Sequence, residues 1–237
     1  MAGHSKWKQI KHKKAITDAK KGKQFTKLIK EISIAARAGG GDPAGNARLR
    51  FLLDKAKEIN MPQENSVRAV KKGTGELPGQ QYEQITYEGY GPHNVAVIVE
   101  VLTDNKNKAI AELRHAVSRN NGRVAETGSV SWMFTRAGVI HVTGATSEDQ
   151  LLELLLDYDI QNIEQDEDTF MITCDSKSLD DVKNALTKNG LKVTEAELEW
   201  LPQNTLSLDE EQEQKALDFL HALEDLEDVQ NVYTNLE

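Results

Sequence analysis

The first part of the chain places apolar residues at helical spacing. Five apolar residues between 25 and 36 recur at this spacing: Phe25, Leu28, Ile29, Ile32 and Ala36. Because they recur every three or four residues, they predict a helix with one apolar face. The lysines of this segment are then expected to reach solvent: Lys20, Lys21, Lys23, Lys27 and Lys30. The glycines at 39–41 are expected to end the helix.

Two more helices are predicted before residue 78. Asp42 followed by Pro43 indicates a helix start, because aspartate caps the first free amides and proline tolerates the first helical position. The inward residues of this second helix are Leu49, Leu52, Leu53 and Ala56. Pro62 starts a third helix with Val67 and Val70 inside, and Lys71, Lys72 and Gly73 close it. The three helices form a small bundle, with residues 6–14 ahead of it.

Strands and helices alternate beyond residue 78. The apolar run at 95–99 is typical of a buried strand. Residues 106–119 place Ile110, Leu113 and Val117 on one helical face, and the Asn-Asn-Gly sequence at 120–122 predicts a turn.

A βαββαβ order follows, and it is the order of a ferredoxin-like domain. Its predicted strands are 139–142, 160–164, 169–174 and 192–197, and its predicted helices are 148–156 and 179–189.

The last two elements, a helix at 209–226 and a strand at 229–233, are too few to form a core alone. We expect them to return to the segment 82–133, so that the ferredoxin-like domain is inserted into a discontinuous one. The predicted fold class is therefore α+β, with an N-terminal three-helix domain followed by two α/β domains. The predicted domains are 1–78, 79–134 with 203–237, and 135–202.

Charge divides the chain into two parts of opposite sign. Residues 1–78 hold 18 lysines and arginines against 7 acids, a net charge of +11, whereas residues 79–237 have a net charge of −20. Such asymmetry is typical of a nucleic-acid-binding module joined to an acidic body. The alternative is a lysine-rich segment that only confers solubility.

Composition favours a reducing compartment. The chain has one cysteine, Cys174, inside an apolar run, so an intrachain disulfide is excluded. No apolar stretch approaches the roughly 18 residues of a membrane span, and no signal segment is recognisable at the start. We therefore expect a cytoplasmic protein with no membrane partner.

No motif for catalysis, metal or cofactor is present. The glycines near residues 73–75 lack the lysine and hydroxyl residue of a phosphate-binding loop. The segment 128–131 is not a nucleophile elbow, because no second glycine follows the serine at the required spacing. The acids at 166–168 are interpreted as a solvated hairpin turn, and His4 and His12 lack further ligands nearby. We expect no enzyme, cofactor or metal site.

Several strings in the sequence resemble the YebC/PmpR family along the whole chain. They are AGHSKWKQIKHKKAITDAKKGKQFTKLIKEI (2–32), GGGDPAGNARLR (39–50), NMPQENSVRAVKKGTG (60–75), YEGYGP (87–92), LTDNKNKAIAELRHAVSRNNG (102–122) and GSVSWMF (128–134). The resemblance implies a three-domain cytosolic protein, with a bacterial member favoured. Family members are mostly described as DNA-binding transcriptional regulators, and others are translation factors acting at the ribosome. His93 and Asn94 depart from the family, where small residues such as glycine are expected.

The resemblance and the charge together predict the nucleic-acid contacts. The first group comprises Lys6, Trp7, Lys8, Lys11, His12, Lys13, Lys14, Lys20, Lys21 and Lys23, with Lys27 beside them. The second group comprises Arg48, Arg50, Lys71 and Lys72. Trp7 either stacks on a base or packs on the bundle, and packing is favoured.

Two targets fit these contacts. The first is DNA, and the alternative is ribosomal RNA, because both present phosphates. Lysine outnumbers the arginine, asparagine and glutamine that read base edges, so sequence-specific recognition is weakly supported. We expect the acidic domains to repel phosphate and to bind a protein partner instead, or to mask the basic segment.

Overall fold

The computed structural model describes residues 18–79, 81–166 and 168–237, and the side chains from residue 22 onward within them. The described residues form two compact units. We call residues 131–205 the ferredoxin-like unit and the remaining described residues the helix–sheet unit. The predicted limits of three domains stay a prediction. Among the described residues, no helix is long and apolar enough to cross a membrane.

The described residues contain seven helices and eight strands. The helices are α1 (Asp18–Gly39), α2 (Ala47–Glu58), α3 (Gln63–Gly73), α4 (Lys106–Arg119), α5 (Glu148–Leu154), α6 (Leu179–Lys188) and α7 (Glu210–Glu224). The strands are β1 (Glu83–Tyr90), β2 (Ala96–Thr103), β3 (Arg123–Ala125), β4 (Phe134–Thr143), β5 (Ile160–Asp166), β6 (Thr169–Asp175), β7 (Lys192–Pro202) and β8 (Val229–Thr234).

Helices α1, α2 and α3 share one apolar core, as the spacing predicts. Its buried residues include Leu28, Ile32, Leu49, Leu52, Ala56 and Ala69. Helices α1 and α3 approach closely at Gly73, where an added Cβ would lie 2.3 Å from the carbonyl oxygen of Ser33. The hydroxyl of Ser33 donates to the carbonyl of Ala69 across the same contact, at 2.9 Å. Gly73 is therefore a packing residue as well as the end of α3.

The predicted start of the second helix is wrong. Asp42 and Pro43 form a turn in which the Asp42 side chain accepts from the amide of Ala44 at 2.9 Å. The helix begins four residues later, where Asn46 caps it by accepting from the amide of Leu49 at 3.0 Å. The Asn46 amide also donates to the carbonyls of Ala35 and Gly40, both at 2.8 Å. Asn46 thus satisfies the end of α1 and the start of α2 together.

The inner face of α3 also differs from the prediction. Ser66 and Ala69 are its buried residues, Val70 is partly buried, and Val67 is 45% exposed. The small residues face inward because α3 lies against α1 at the distance that Gly73 permits. Val67 is thereby placed on the outer surface.

The helix–sheet unit contains an antiparallel sheet in the order β3-β1-β2-β8. Every residue of β2 is buried. One side of the sheet packs against α4 and α7 through residues such as Val97, Val99, Leu113, Phe219 and Leu223. The C-terminal elements therefore return to the middle segment, as expected. The predicted fold class is confirmed in its helical N-terminal region, its two α/β parts and the insertion.

The ferredoxin-like unit has four antiparallel strands in the order β5-β6-β4-β7. This order is that of the βαββαβ fold, with the two outer strands supplied by β5 and β7. Its core includes Ile140, Val142, Leu151, Phe170, Ile172, Cys174, Val182 and Leu186. Burial is complete at Cys174 and raises the pKa of its thiol to about 11. The interpretation of Cys174 as a packing residue fits this environment.

The departure at His93 and Asn94 lies in a short turn between β1 and β2. Both residues have positive φ, 57° and 61°. Glycine adopts this conformation without the steric cost that a Cβ imposes. The backbone therefore explains why small residues are expected at these two positions.

Candidate nucleic-acid interface

Most of the predicted first group lies outside the described residues. It comprises Lys6, Trp7, Lys8, Lys11, His12, Lys13 and Lys14. Lys20 and Lys21 belong to the first turn of α1, and their side chains are likewise outside the description. These residues remain predicted contacts.

Lys23 and Lys27 point to the end of α7 in the same unit. The Lys23 ammonium forms a salt bridge with Asp225 at 2.9 Å and also donates to the Asp225 carbonyl at 3.2 Å. Lys27 donates to the carbonyl of Glu224 at 3.3 Å. Lys23 is exposed and Lys27 is half-buried. The structure thus gives both predicted contact residues intrachain partners.

Lys30 is buried, so the expectation that it reaches solvent is wrong. Its side chain is 6% exposed and forms a salt bridge with Asp228, whose side chain is 10% exposed. The same ammonium donates to the carbonyls of Leu102 and Glu227, each at 3.2 Å. Asp228 also accepts from the hydroxyl of Thr103 at 2.9 Å. Three acceptors for one ammonium make Lys30 a structural residue between α1 and the sheet.

Arg48 and Arg50 of the second group lie exposed on the first turn of α2. Arg48 pairs with Glu31 of α1 at 3.1 Å. Arg50 donates to the carbonyl of Pro43 at 3.4 Å. Each guanidinium has five N–H donors, so both retain donors that can face a phosphate.

Helix α3 carries three cations that differ from those of α1 and α2 in their surroundings. Arg68 and Lys71 are exposed and Lys72 is half-buried. Within the described part of the chain, none of the three lies within 4.0 Å of a carboxylate oxygen. Among the described residues they therefore form no salt bridge, in contrast to Lys23, Lys30 and Arg48.

An open groove of about 330 Å³ lies along the exposed side of α3. Its lining residues are Gln63, Glu64, Val67, Arg68, Lys71 and Leu77. Of these residues Lys71 is a predicted contact, and Arg68 is not among the predicted contacts. Arg68 precedes Lys71 by three residues, and this spacing places them on one helical face. The signal for Arg68 is the burial of Ser66 and Ala69: once they are on the inner face of α3, Arg68 lies on the outer face.

The opposite electrostatic environment surrounds Tyr82, which follows the helical domain. Burial raises the pKa of Tyr82, and the carboxylates of Asp104, Asp228 and Glu227 raise it further. The part of this increase that comes from the three carboxylates reports negative potential at the ring, because negative charge disfavours the phenolate. The described surface therefore has a basic side along α3 and an acidic side near Tyr82.

The fold and the basic helices match one family over nearly the whole chain. The family described as "TACO1/YebC protein N-terminal domain" matches residues 5–76, and "TACO1/YebC second and third domain" matches residues 82–236. The chain belongs to the TACO1/YebC family. The resemblance stated from the sequence is confirmed.

Individual relatives match over their full length. A protein of Chloroherpeton thalassium named "Probable transcriptional regulatory protein" is 52% identical, over 100% of this chain and 96% of the relative. A relative of the same descriptive name from Chlorobaculum tepidum is 51% identical, over 100% and 95%. The crystal structure of a conserved hypothetical protein from Aquifex aeolicus is 44% identical, with a TM-score of 0.88 over 98% of this chain and 97% of that one.

Proposed function

We propose that this protein is a non-enzymatic, cytosolic regulator of transcription that binds DNA through its lysine-rich N-terminal helical domain. The observation that supports the proposal most is that Arg68, Lys71 and Lys72 on α3 form no salt bridge among the described residues. These residues lie in the segment 1–78, which has a net charge of +11. The names of the relatives, as transcriptional regulatory proteins, agree with this role.

Binding would begin with phosphate contacts. Each lysine that neutralises a phosphate on duplex DNA releases counterions, and the logarithm of affinity falls with log salt by about 0.9 per contact. Residues 6–14 and the α3 cations would supply these contacts. Gln63 and Arg68 are among the groove residues whose side chains suit base edges, glutamine for adenine and arginine for guanine. The acidic remainder of the chain would face away from phosphate and toward a protein partner.

A second function has one observation in its favour. Lysine is the commonest cation among the predicted contacts, and it positions a protein on phosphates without reading sequence. This chemistry suits ribosomal RNA as well as DNA. The alternative is therefore a ribosome-associated translation factor whose basic segment contacts RNA while its acidic domains contact basic ribosomal proteins.

One comparison tests the proposal and separates the two targets. Retention on a promoter-length duplex and co-sedimentation with ribosomes are measured at about 150 mM salt. The test variant carries Arg68→Gln, Lys71→Gln and Lys72→Gln. The control removes three exposed cations from the ferredoxin-like unit, with Lys177→Gln, Lys188→Gln and Lys192→Gln.

The proposal predicts duplex retention that the α3 variant weakens and the control leaves intact. Three lost phosphate contacts should reduce the salt slope by about 2.7. Binding to ribosomes without retention on the duplex would contradict the proposed role in transcription and support the role of a translation factor. Equal behaviour of the two triple variants would remove α3 from the interface.

A further inference from the structure

Three lysines of α1 converge on one short acidic segment. Lys23, Lys27 and Lys30 are spaced four and three residues apart, so they lie on one helical face. Their ammonium groups all contact residues 224–228. This segment, which we call the acidic turn, joins the last residue of α7 to β8. Its carboxylates are Glu224, Asp225, Glu227 and Asp228.

The acidic turn presents oxygen acceptors with negative charge to the lysines, as a nucleic-acid backbone does. The last carbonyls of α7 have no partner within the helix and lie at the negative end of its dipole. Lysine ammonium groups reach the carbonyls of Glu224, Asp225 and Glu227 at 3.2 to 3.3 Å. The turn is therefore a compact row of anionic and dipolar oxygens, matched to the spacing of lysines along α1.

Exposure divides the three contacts into two kinds. The side chains of Lys30 and Asp228 are 6% and 10% exposed, whereas those of Lys23 and Asp225 are 49% and 70% exposed. The Lys30 contact is part of the folded core. The Lys23 contact is open to water, and exposed ion pairs of this kind are weak and screened by salt. A polyanion can therefore displace Asp225 from Lys23 without unfolding the unit.

We propose that the acidic turn is an autoinhibitory element that competes with nucleic acid for Lys23. It holds the basic face of α1 when no polyanion is bound, and it lowers affinity by the strength of the contact that must be broken. The inference rests on the proposed function, since it describes regulation of the same basic surface. It gives the acidic segment 79–237 a role inside the molecule, through the five residues 224–228 at the end of α7.

The test frees Lys23 without removing it. Asp225→Asn deletes the exposed ion pair and leaves the Asp225 carbonyl in place. Glu211→Gln is the matched control, because it also removes one acid from the α7 region and breaks an exposed pair, with Lys215 at 2.7 Å. The third protein carries Lys23→Gln, and the fourth combines it with Asp225→Asn. Affinity for a promoter-length duplex and for ribosomes is measured for the full chain at about 50 and 200 mM salt.

Competition predicts that Asp225→Asn raises affinity about twofold to fivefold at the lower salt. The gain shrinks at the higher salt and disappears in the Lys23→Gln background. If the wild type binds but Asp225→Asn behaves like Glu211→Gln, or if the gain survives without Lys23, autoinhibition is wrong and the proposed function stands. If neither the wild type nor Asp225→Asn binds either target, the proposed function fails and autoinhibition fails with it.

Discussion

Replacing Lys30 by methionine tests the division between structural and exchangeable lysines. The substitution keeps the apolar stem and removes the ammonium. It leaves the Asp228 carboxylate, 10% exposed, with the hydroxyl of Thr103 as its remaining described donor. Breaking a buried pair by removing one partner costs about 3–5 kcal/mol, because the other charge stays buried and unpaired. We expect a loss of that size in the free energy of opening of α1.

Two further variants show whether the loss of stability comes from the unpaired charge of Asp228. A double variant, Lys30→Met with Asp228→Asn, removes the unpaired charge and should cost about 1–2 kcal/mol, well below the single change. Lys23→Met breaks an exposed pair and should cost less than about 1 kcal/mol. Native-state hydrogen exchange of α1 peptides, read by mass spectrometry, measures all three. A cost for Lys30→Met no greater than that for Lys23→Met would refute the assignment of Lys30 to the core.

Four other substitutions and one chemical modification test local features of the fold. Asn46→Ala should cost about 1–2 kcal/mol in urea unfolding, since it removes the cap of α2, and no loss would contradict the dual role of Asn46. Gly73→Ala should cost about 1–3 kcal/mol of stability, because its Cβ would overlap the carbonyl of Ser33. Gly22→Ala has open space around it and should stabilise α1 by about 0.5–1 kcal/mol. Equal effects of the two substitutions would rule out close packing at Gly73. His93→Gly should raise the melting temperature by relieving positive φ, and a lower value would show that the side chain compensates for the strain. Cys174 should resist a thiol reagent at pH 8 until denaturant is added, because burial raises the pKa of its thiol to about 11. Because this pKa is raised in the folded state, the contribution of Cys174 to stability should be present below about pH 9. It should be lost as the pH rises through 11.

Helices and strands were predictable from the sequence where a local pattern of residues alone determines them. The helix predicted at 106–119 has those same limits in the structure, because Asn105 caps it and its apolar face is continuous. The ferredoxin-like order was also predictable, since its strands and helices alternate clearly. The start of α2 was not predictable from Asp42 and Pro43 alone. Asn46 is favoured there because it also bonds to the end of α1, a contact that depends on tertiary structure.

The candidate interface was predictable in its charge but not in its geometry. Net charge identified the basic N-terminal third of the chain, and the helical spacing identified the apolar face of α1 but wrongly placed Lys30 in solvent. Nothing local distinguishes Lys30 from Lys23, because the distinction comes from Asp228, almost two hundred residues away. Arg68 was missed for a similar reason. Its exposure follows from the close approach of α3 to α1, which turns Val67 and Arg68 outward.

The most direct test of the account neutralises the leading lysines together. The variant carries glutamine at Lys11, Lys13, Lys14, Lys20 and Lys21, and the control carries arginine at the same positions, which keeps the charge. Affinity for duplex DNA and for ribosomes is measured between about 50 and 200 mM salt. The account predicts that the glutamine variant loses affinity and that its salt slope on duplex falls by up to about 4.5, while the arginine control keeps both. Undiminished association of the glutamine variant with both targets would contradict the account.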